Sequence, residues 1–495
     1  MNLQNDIRTK LKDQKILIES ALIGGQWISA KDSDFIEVTN PADGTVIGTV
    51  PNCGREETSA AINAAQLAFQ DWRKTTAATR SRILERWHDL MLTHVNDLAT
   101  ILTIEQGKPL AEAQGEIRYA ASFVKWFAEE GRRINGYTVP AATSDRRIMV
   151  LKEPVGVCAA ITPWNFPAAM ITRKCAPGLA AGCTFVVKPS ELTPFTALAL
   201  AELAIRAGLP AGVLNIITGL PSNIGETLTA SPIVRKLSFT GSTRIGSLLM
   251  QQSAPTLKRL SLELGGNAPF IVFDDADVDV AVEGAMASKF RNAGQTCVCA
   301  NRILVQAGIH DEFTAKLSAA VDRLKIGDGL APDTTIGPLI NSAAIAKVKA
   351  HLEDALGLGA TLATQIKTSA DELRFAQPAV LIGVTADMRL SSEETFGPIA
   401  PIMKFHHEEE AVNLANATPF GLASYFYTND LHRAWRVGEE LEFGMVGLNT
   451  GSLGMEMAPF GGIKASGLGR EGGREGIEEY LEPKAFHWGG LKIST

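Results

Sequence analysis

A chain of 495 residues with 45% apolar and 20% charged side chains has ordinary globular composition, enough for two or three domains of roughly 150 residues around a large core. Its net charge of -7 is modest and the basic pairs Arg132-Arg133 and Arg146-Arg147 stand alone, which argues against nucleic acid as a partner. No run approaches the ~20 apolar residues of a membrane span, and Met1 to Gln14 is not a basic-then-apolar leader; six scattered cysteines form no secreted disulfide framework, so the sequence predicts a cytoplasmic protein.

In chain order, the stretch from about Glu57 to Arg133 is helical in pattern, with Ile83, Trp87, Leu90 and Met91 at helical spacing, and reads as helices covering a sheet. From Val155 to Phe273, β-branched runs alternate with Ala/Leu-rich segments, the pattern of a parallel sheet with helical crossovers. The predicted strands are Val155 to Thr162, Thr184 to Val187, Leu214 to Thr218 and Val234 to Phe239. Thr193-Pro194 supplies an N-cap and first-turn proline to a helix through Leu198 to Ile205, which Gly208 stops. A second α/β block follows Gly265-Gly266, with a strand at Phe270 to Phe273, a helix at Val278 to Phe290 and a strand at Arg302 to Val305.

Several residues along this frame are candidates for chemistry, each with a plain structural alternative. Cys297, in Gly294-Gln295-Thr296-Cys297, follows a Gly-containing loop; a lone cysteine also reads as a small buried apolar residue, and reactivity needs a local cation, helix terminus or cofactor. Cys297-Val298-Cys299 resembles half of a metal site, but no second half completes it, so no metal is expected. Glu263, between two leucines at a strand end, becomes a useful general base if buried and an ordinary carboxylate if it faces solvent. Asn165, in Thr162-Pro163-Trp164-Asn165-Phe166-Pro167, lies at a strand's carboxyl end, where open α/β sheets place ligands; its amide suits an oxyanion, and turn chemistry explains it equally. Phe239-Thr240-Gly241-Ser242-Thr243 is a strand, turn and helix start with backbone amides for phosphate, although its spacing is not the usual dinucleotide fingerprint. Lys188-Pro189-Ser190-Glu191 ends another strand, and either charge there serves ribose hydroxyls or solvent.

Together with Glu393-Glu394-Thr395-Phe396-Gly397-Pro398 and Pro459-Phe460-Gly461-Gly462, these segments resemble the aldehyde dehydrogenase superfamily from about residue 20 to the C-terminus. The resemblance implies an α/β fold with a Rossmann-like cofactor domain (1–135 and 154–264), a catalytic domain (265–476) and a small β oligomerisation element (136–153 and 477–495). In that element about Gly136 to Glu153 would pair with a strand near Ala485 to Ile493, giving a homodimer or homotetramer. It further implies that Cys297 attacks an aldehyde and is carried to a thioester, that Asn165 and the Cys297 N–H hold the oxyanion, and that Glu263 activates the hydrolytic water. Lys188 and Glu191 would meet the adenosine ribose with Ser190 also on the cofactor, Trp164, Gly241 and Ser242 would line the cofactor cleft, and Glu394 and Phe396 would position the nicotinamide ribose. A carboxylate at Glu191 favours NAD because it repels a 2′-phosphate, while Lys188 and Ser190 leave NADP usable.

Within the superfamily, Ser288 to Asn301 and Ile171-Thr172-Arg173-Lys174 resemble succinate-semialdehyde dehydrogenases most closely. There the arginines matching Arg173 and Arg291 hold a distal carboxylate, a task suited to guanidinium forks. A structural ion pair is the alternative reading. Gly454 stands where that subfamily usually has a serine that helps bind the carboxylate, which leaves room for glutarate semialdehyde or a broader aldehyde range. A CoA-acylating enzyme and a non-enzymatic binding protein are the remaining alternatives, and Glu263 argues for water over CoA. Cys299, two residues past Cys297, invites a redox switch through a strained disulfide.

Overall fold

The structure, a computed structural model, describes residues 7–30, 34–365 and 373–491. Two sheets carry the α/β fold. The first runs in the order Gly467–Leu468, Arg259–Glu263, Val234–Thr240, Val157–Ile161, Thr184–Lys188, Leu214–Ile216, Ala21–Ile23, Gln26–Ile28. Its five central strands are parallel and its edges antiparallel. The four strands expected between Val155 and Phe239 are all present, and Thr184–Lys188 is wholly buried, as a parallel strand covered on both faces should be.

Helices cover this sheet as the sequence pattern predicts. The N-terminal set is α1 (Arg55–Trp72), α2 (Ala77–Thr93), α3 (Val95–Gln106) and α4 (Leu110–Glu130), followed by α5 (Ala169–Ala181), α6 (Pro194–Arg206), α7 (Pro221–Ala230) and α8 (Thr243–Ser253). Trp87 and Met91 of α2 lie in the same buried cluster as Leu98, Phe123, Leu179 and Phe185. At α6 the structure corrects the expected cap. Pro194 opens the helix, but the Thr193 side chain makes no capping bond. The Glu105 carboxylate, from the end of α3, instead accepts from the backbone N–H groups of Phe195 (2.8 Å) and Thr196 (2.9 Å). Burial raises that carboxyl to about 8, and an acceptor reaching over from another helix ties α3 to α6, which a local hydroxyl would not do.

The second sheet has the order Thr361–Leu362, Ala379–Ile382, Ile399–Phe405, Ala300–Gln306, Ala268–Val272, Ala423–Tyr427, Met445–Leu448, with a buried core of its own. All its pairings are parallel except the first. Helix α9 (Val278–Lys289) leads out of Ala268–Val272 and back toward Ala300–Gln306. The chain then returns to the first sheet: Gly467 pairs with Glu263, and a β-carbon on Gly467 would stand 1.8 Å from the Leu262 carbonyl, so only glycine closes this edge. A separate antiparallel sheet joins Tyr137–Val139, Arg147–Pro154 and Leu481–Trp488. The final strand thus begins earlier than the expected Ala485, and Ile493 lies outside the described residues. Among the described residues no helix is long and apolar enough to cross a membrane.

Candidate active site

Cys297 sits just past a strained turn. After α9 the chain makes one tight turn, Arg291–Gly294, in which Asn292 (φ 51°), Ala293 (φ 55°) and Gly294 (φ 75°) are all left-handed. Two non-glycine residues there cost of order 1–3 kcal/mol each, so the surroundings must impose the shape. They do. The Asn292 N–H donates to Glu112 of α4 at 2.8 Å, its side-chain carbonyl accepts from Gln106 at 3.0 Å, and its amide donates to the backbone carbonyl of Asn165 at 3.0 Å. Gly294 passes so close to Gly397 that a β-carbon would lie 2.3 Å from the Gly397 carbonyl.

Asn165 is fastened to the same turn. Its side-chain amide donates to the Gln295 carbonyl at 3.0 Å, and its own carbonyl also accepts from Lys108 Nζ at 2.8 Å. Lys108 in turn forms a fully buried ion pair with Glu116 at 2.5 Å, and Glu116 accepts from the N–H groups of Ala168 and Ala169 at the start of α5. Composition and spacing did not single out Lys108, Glu112 or Glu116, because Asn165, Asn292 and the start of α5, which they hold, lie far away in sequence.

Two cavities meet at Cys297. The first, about 310 Å³, is walled by one face of α4 (Glu112, Gly115, Tyr119), by Arg173 of α5, and by Arg291 and Phe460. The second, about 390 Å³, opens between the sheets and is lined by Trp164, Asn165, Gly241, Ser242, Glu394 and Phe396. Cys297 lines both. Burial pushes its thiol up to about 12, against which the charges of Arg173 and Arg291 pull it down. Cys299 lines neither cavity; it is buried, with Sγ 3.6 Å from the Lys289 carbonyl.

Glu263 is 3% exposed and neither carboxyl oxygen has a hydrogen-bond partner. Burial, reinforced by the neighbouring charge of Glu471, holds its carboxyl well above the usual range. Leaving such a group unpaired is costly, which fits a side chain kept for a reaction partner rather than for stability. Glu471 has the opposite balance: burial raises it, but Lys174 and Arg173 outweigh that and hold it ionised. Arg173 makes the structural ion pair that was one of the two readings and also lines the first cavity. Its Nη2 lies 3.0 Å from Glu471, yet Nε and Nη2 make no hydrogen bond, and the guanidinium lies 3.9 Å over the Phe460 ring in the first cavity. Arg291 is exposed, lies 5.3 Å over Phe166, and has no ion-pair partner among the described residues.

In the second cavity, Ser242 caps α8 by accepting from the Ile245 N–H at 3.4 Å, so the positive end of that helix faces the cleft. A β-carbon on Gly241 would strike the Phe239 ring at 2.4 Å. Glu394 accepts from the Gly266 N–H at 3.3 Å and burial raises its carboxyl to about 7. Phe396, left-handed at φ 54°, packs edge-on against Trp164 at 5.6 Å. Lys188 and Glu191 form an ion pair at 2.6 Å at the end of the adjacent strand, and Ser190 Oγ accepts from the Leu192 N–H. These three, and Glu263, lie outside the lining of the second cavity, while Trp164, Asn165, Gly241, Ser242, Glu394 and Phe396 are brought together in it.

Comparison with known proteins agrees with this geometry. Residues 27–486 match the family described as aldehyde dehydrogenase family. A succinate-semialdehyde dehydrogenase [NADP(+)] of Escherichia coli is 60% identical over 96% of this chain and 98% of its own length. A glutarate-semialdehyde dehydrogenase of Pseudomonas putida is 58% identical over 96% of this chain and 98% of its own. The crystal structure of a succinate-semialdehyde dehydrogenase from Burkholderia pseudomallei superposes with a TM-score of 0.95 at 58% identity, covering 97% of this chain and 99% of that one.

Proposed function

The chain belongs to the aldehyde dehydrogenase family, and from that premise we propose that it oxidises a short aldehyde carrying a distal carboxylate to the dicarboxylic acid with NAD(P). Succinate semialdehyde is the first candidate and glutarate semialdehyde the second, since relatives named for each are 60% and 58% identical to this chain. The observation that carries the reading is the position of Cys297 on the wall between a cavity containing two arginines and a cleft built for a cofactor.

The cleft fits a dinucleotide. Gly265 on its wall has no side chain to intrude, where a β-carbon would stand 3.3 Å from a Glu394 carboxyl oxygen and 3.6 Å from the Thr243 hydroxyl. The helix terminus at Ser242 suits a pyrophosphate. Trp164, Gly241, Ser242, Glu394 and Phe396 would hold the cofactor, with Lys188, Ser190 and Glu191 at the adenosine ribose. Once bound, NAD(P) supplies the hydride acceptor that takes the Cys297 adduct from thiohemiacetal to thioester. The Glu191 carboxylate supports a preference for NAD, because a 2′-phosphate would meet like charge; Lys188 leaves NADP usable, and the Escherichia coli relative is named for NADP.

Cys297 attacks the aldehyde carbon as its thiolate, forming a C–S bond and moving negative charge onto the carbonyl oxygen. The cations Arg173 and Arg291 favour that thiolate. The second amide hydrogen of Asn165 and the Cys297 N–H hold the oxyanion, a contribution of about 3 to 4 kcal/mol for one such donor. Glu263 takes a proton from water as that water attacks the thioester carbon, and the sulfur leaves as thiolate with release of the acid. Cys158, Cys175, Cys183, Cys297 and Cys299 are free thiols, which supports a cytoplasmic location. Half-exposed Tyr137, Leu151, Phe486 and Trp488 on the three-stranded sheet support a dimer or tetramer, which a molar mass by light scattering checks.

The test is a kinetic panel of succinate semialdehyde, glutarate semialdehyde, butanal and benzaldehyde, each with NAD and NADP, followed by reduced-nicotinamide absorbance. The carboxylated aldehydes are expected to give the highest kcat/KM. Preference for the uncharged ones overturns the substrate assignment.

A further inference from the structure

Tyr119 is the one hydroxyl-bearing aromatic side chain on the wall of the aldehyde cavity. It lies on α4 in line with Glu112, Gly115 and Glu116, at the spacing that puts residues on one helix face. Its ring is fixed edge-on against Phe123 at 4.9 Å. Its hydroxyl lies against Gly454, where an added β-carbon would stand 2.8 Å from the oxygen and 3.3 Å from the ring carbon bearing it. The glycine is thus what makes room for the hydroxyl. The Gly454 loop is anchored to the same helix, because Glu456 accepts from the Ser122 hydroxyl at 3.1 Å.

The hydroxyl has no hydrogen-bond partner among the described residues, and both Arg173 and Arg291 act on it through their charge. The carboxylates on this wall are already engaged: Glu116 by Lys108, and Glu112 by the Asn292 N–H, with burial raising its carboxyl. What remains is a free O–H donor beside two guanidinium groups, one of them unpaired. That is a set of donors for an anion, and a hydroxyl adds direction where the cations add charge.

We propose that Tyr119, seated against Gly454, is a specificity-determining residue that donates a hydrogen bond to the distal anionic group of the substrate in the aldehyde cavity. This rests on the carboxylated-aldehyde reading above. Burial raises the phenol, so it stays a protonated donor throughout the working pH range.

The experiment measures the ratio of kcat/KM for succinate semialdehyde to that for butanal in the full-length enzyme and in Tyr119→Phe, Gly454→Ala and the double variant. Tyr119→Phe is expected to lower the ratio about tenfold, the least that loss of a hydrogen bond to a charged acceptor produces, with the change in KM rather than kcat. Gly454→Ala displaces the hydroxyl and should lower the ratio similarly, while adding little once the hydroxyl is gone. A ratio that holds in Tyr119→Phe, or effects of the two substitutions that simply multiply, overturns the role of Tyr119. An unmodified enzyme that does not favour succinate semialdehyde over butanal overturns the substrate reading itself, and the role with it.

Discussion

The two cavities that meet at Cys297 are built by different means. The cofactor cleft is assembled from strand ends and the turns that follow them: Trp164 and Asn165 after Val157–Ile161, Gly241 and Ser242 after Val234–Thr240, Gly265 after Arg259–Glu263. Its shape follows from the sheet. The aldehyde cavity draws on a helix face, a strained turn and a returning loop, namely Tyr119, Arg291 and Gly454, that meet only in the folded chain. One side is set by topology and the other by side chains, so substrate range can change on one wall without disturbing the other.

The sharpest way to break this division is at the shared wall. Cys297→Ala should lower turnover at least about a thousandfold with every aldehyde, while titration by protein fluorescence still shows NAD(P) binding. Loss of cofactor affinity along with activity would mean the two cavities are not separable. Asn165→Ala should lower kcat by about a hundredfold to a thousandfold with a smaller change in KM, as loss of an oxyanion donor does. A pure KM effect would place Asn165 on the binding side alone.

The pH profile comes next in size. Burial raises both the Cys297 thiol, to about 12, and the Glu263 carboxyl, and each works only after losing its proton. Groups with raised values deprotonate as pH climbs, so kcat/KM should increase from neutral into alkaline pH, by up to about tenfold per unit while thiolate is limiting. A flat or falling profile would contradict this. Arg291→Ala should raise KM for succinate semialdehyde by about tenfold or more without a comparable change for butanal, since one partner of a charged pair is lost. The smallest effect lies past the end of the strand Thr184–Lys188, where Glu191→Ser should move the NADP to NAD efficiency ratio upward by a few fold. A ratio that does not move removes Glu191 from cofactor choice.

This contrast also explains what could be read in advance. Strand, turn and helix signals are local, so the parallel strands from Val157 to Thr240, the α9 helix and the motif residues that line the second cavity were legible in the sequence. Glu105 capping α6, Lys108 holding Asn165 and Tyr119 facing Gly454 were not, because each contact spans 57 or more residues and leaves no periodic trace. The dual character of Arg173, paired with Glu471 and open to the cavity, likewise depends on a carboxylate from the distant returning loop.

The most direct test of the account is to trap the acyl enzyme. Glu263→Gln, incubated with succinate semialdehyde and NAD(P) and analysed by peptide mass spectrometry, should carry one succinyl group per chain on the peptide containing Cys297, formed with one equivalent of reduced nicotinamide. Reduced nicotinamide produced in that burst while Cys297 stays unmodified, or a succinyl group found on another residue, would contradict it.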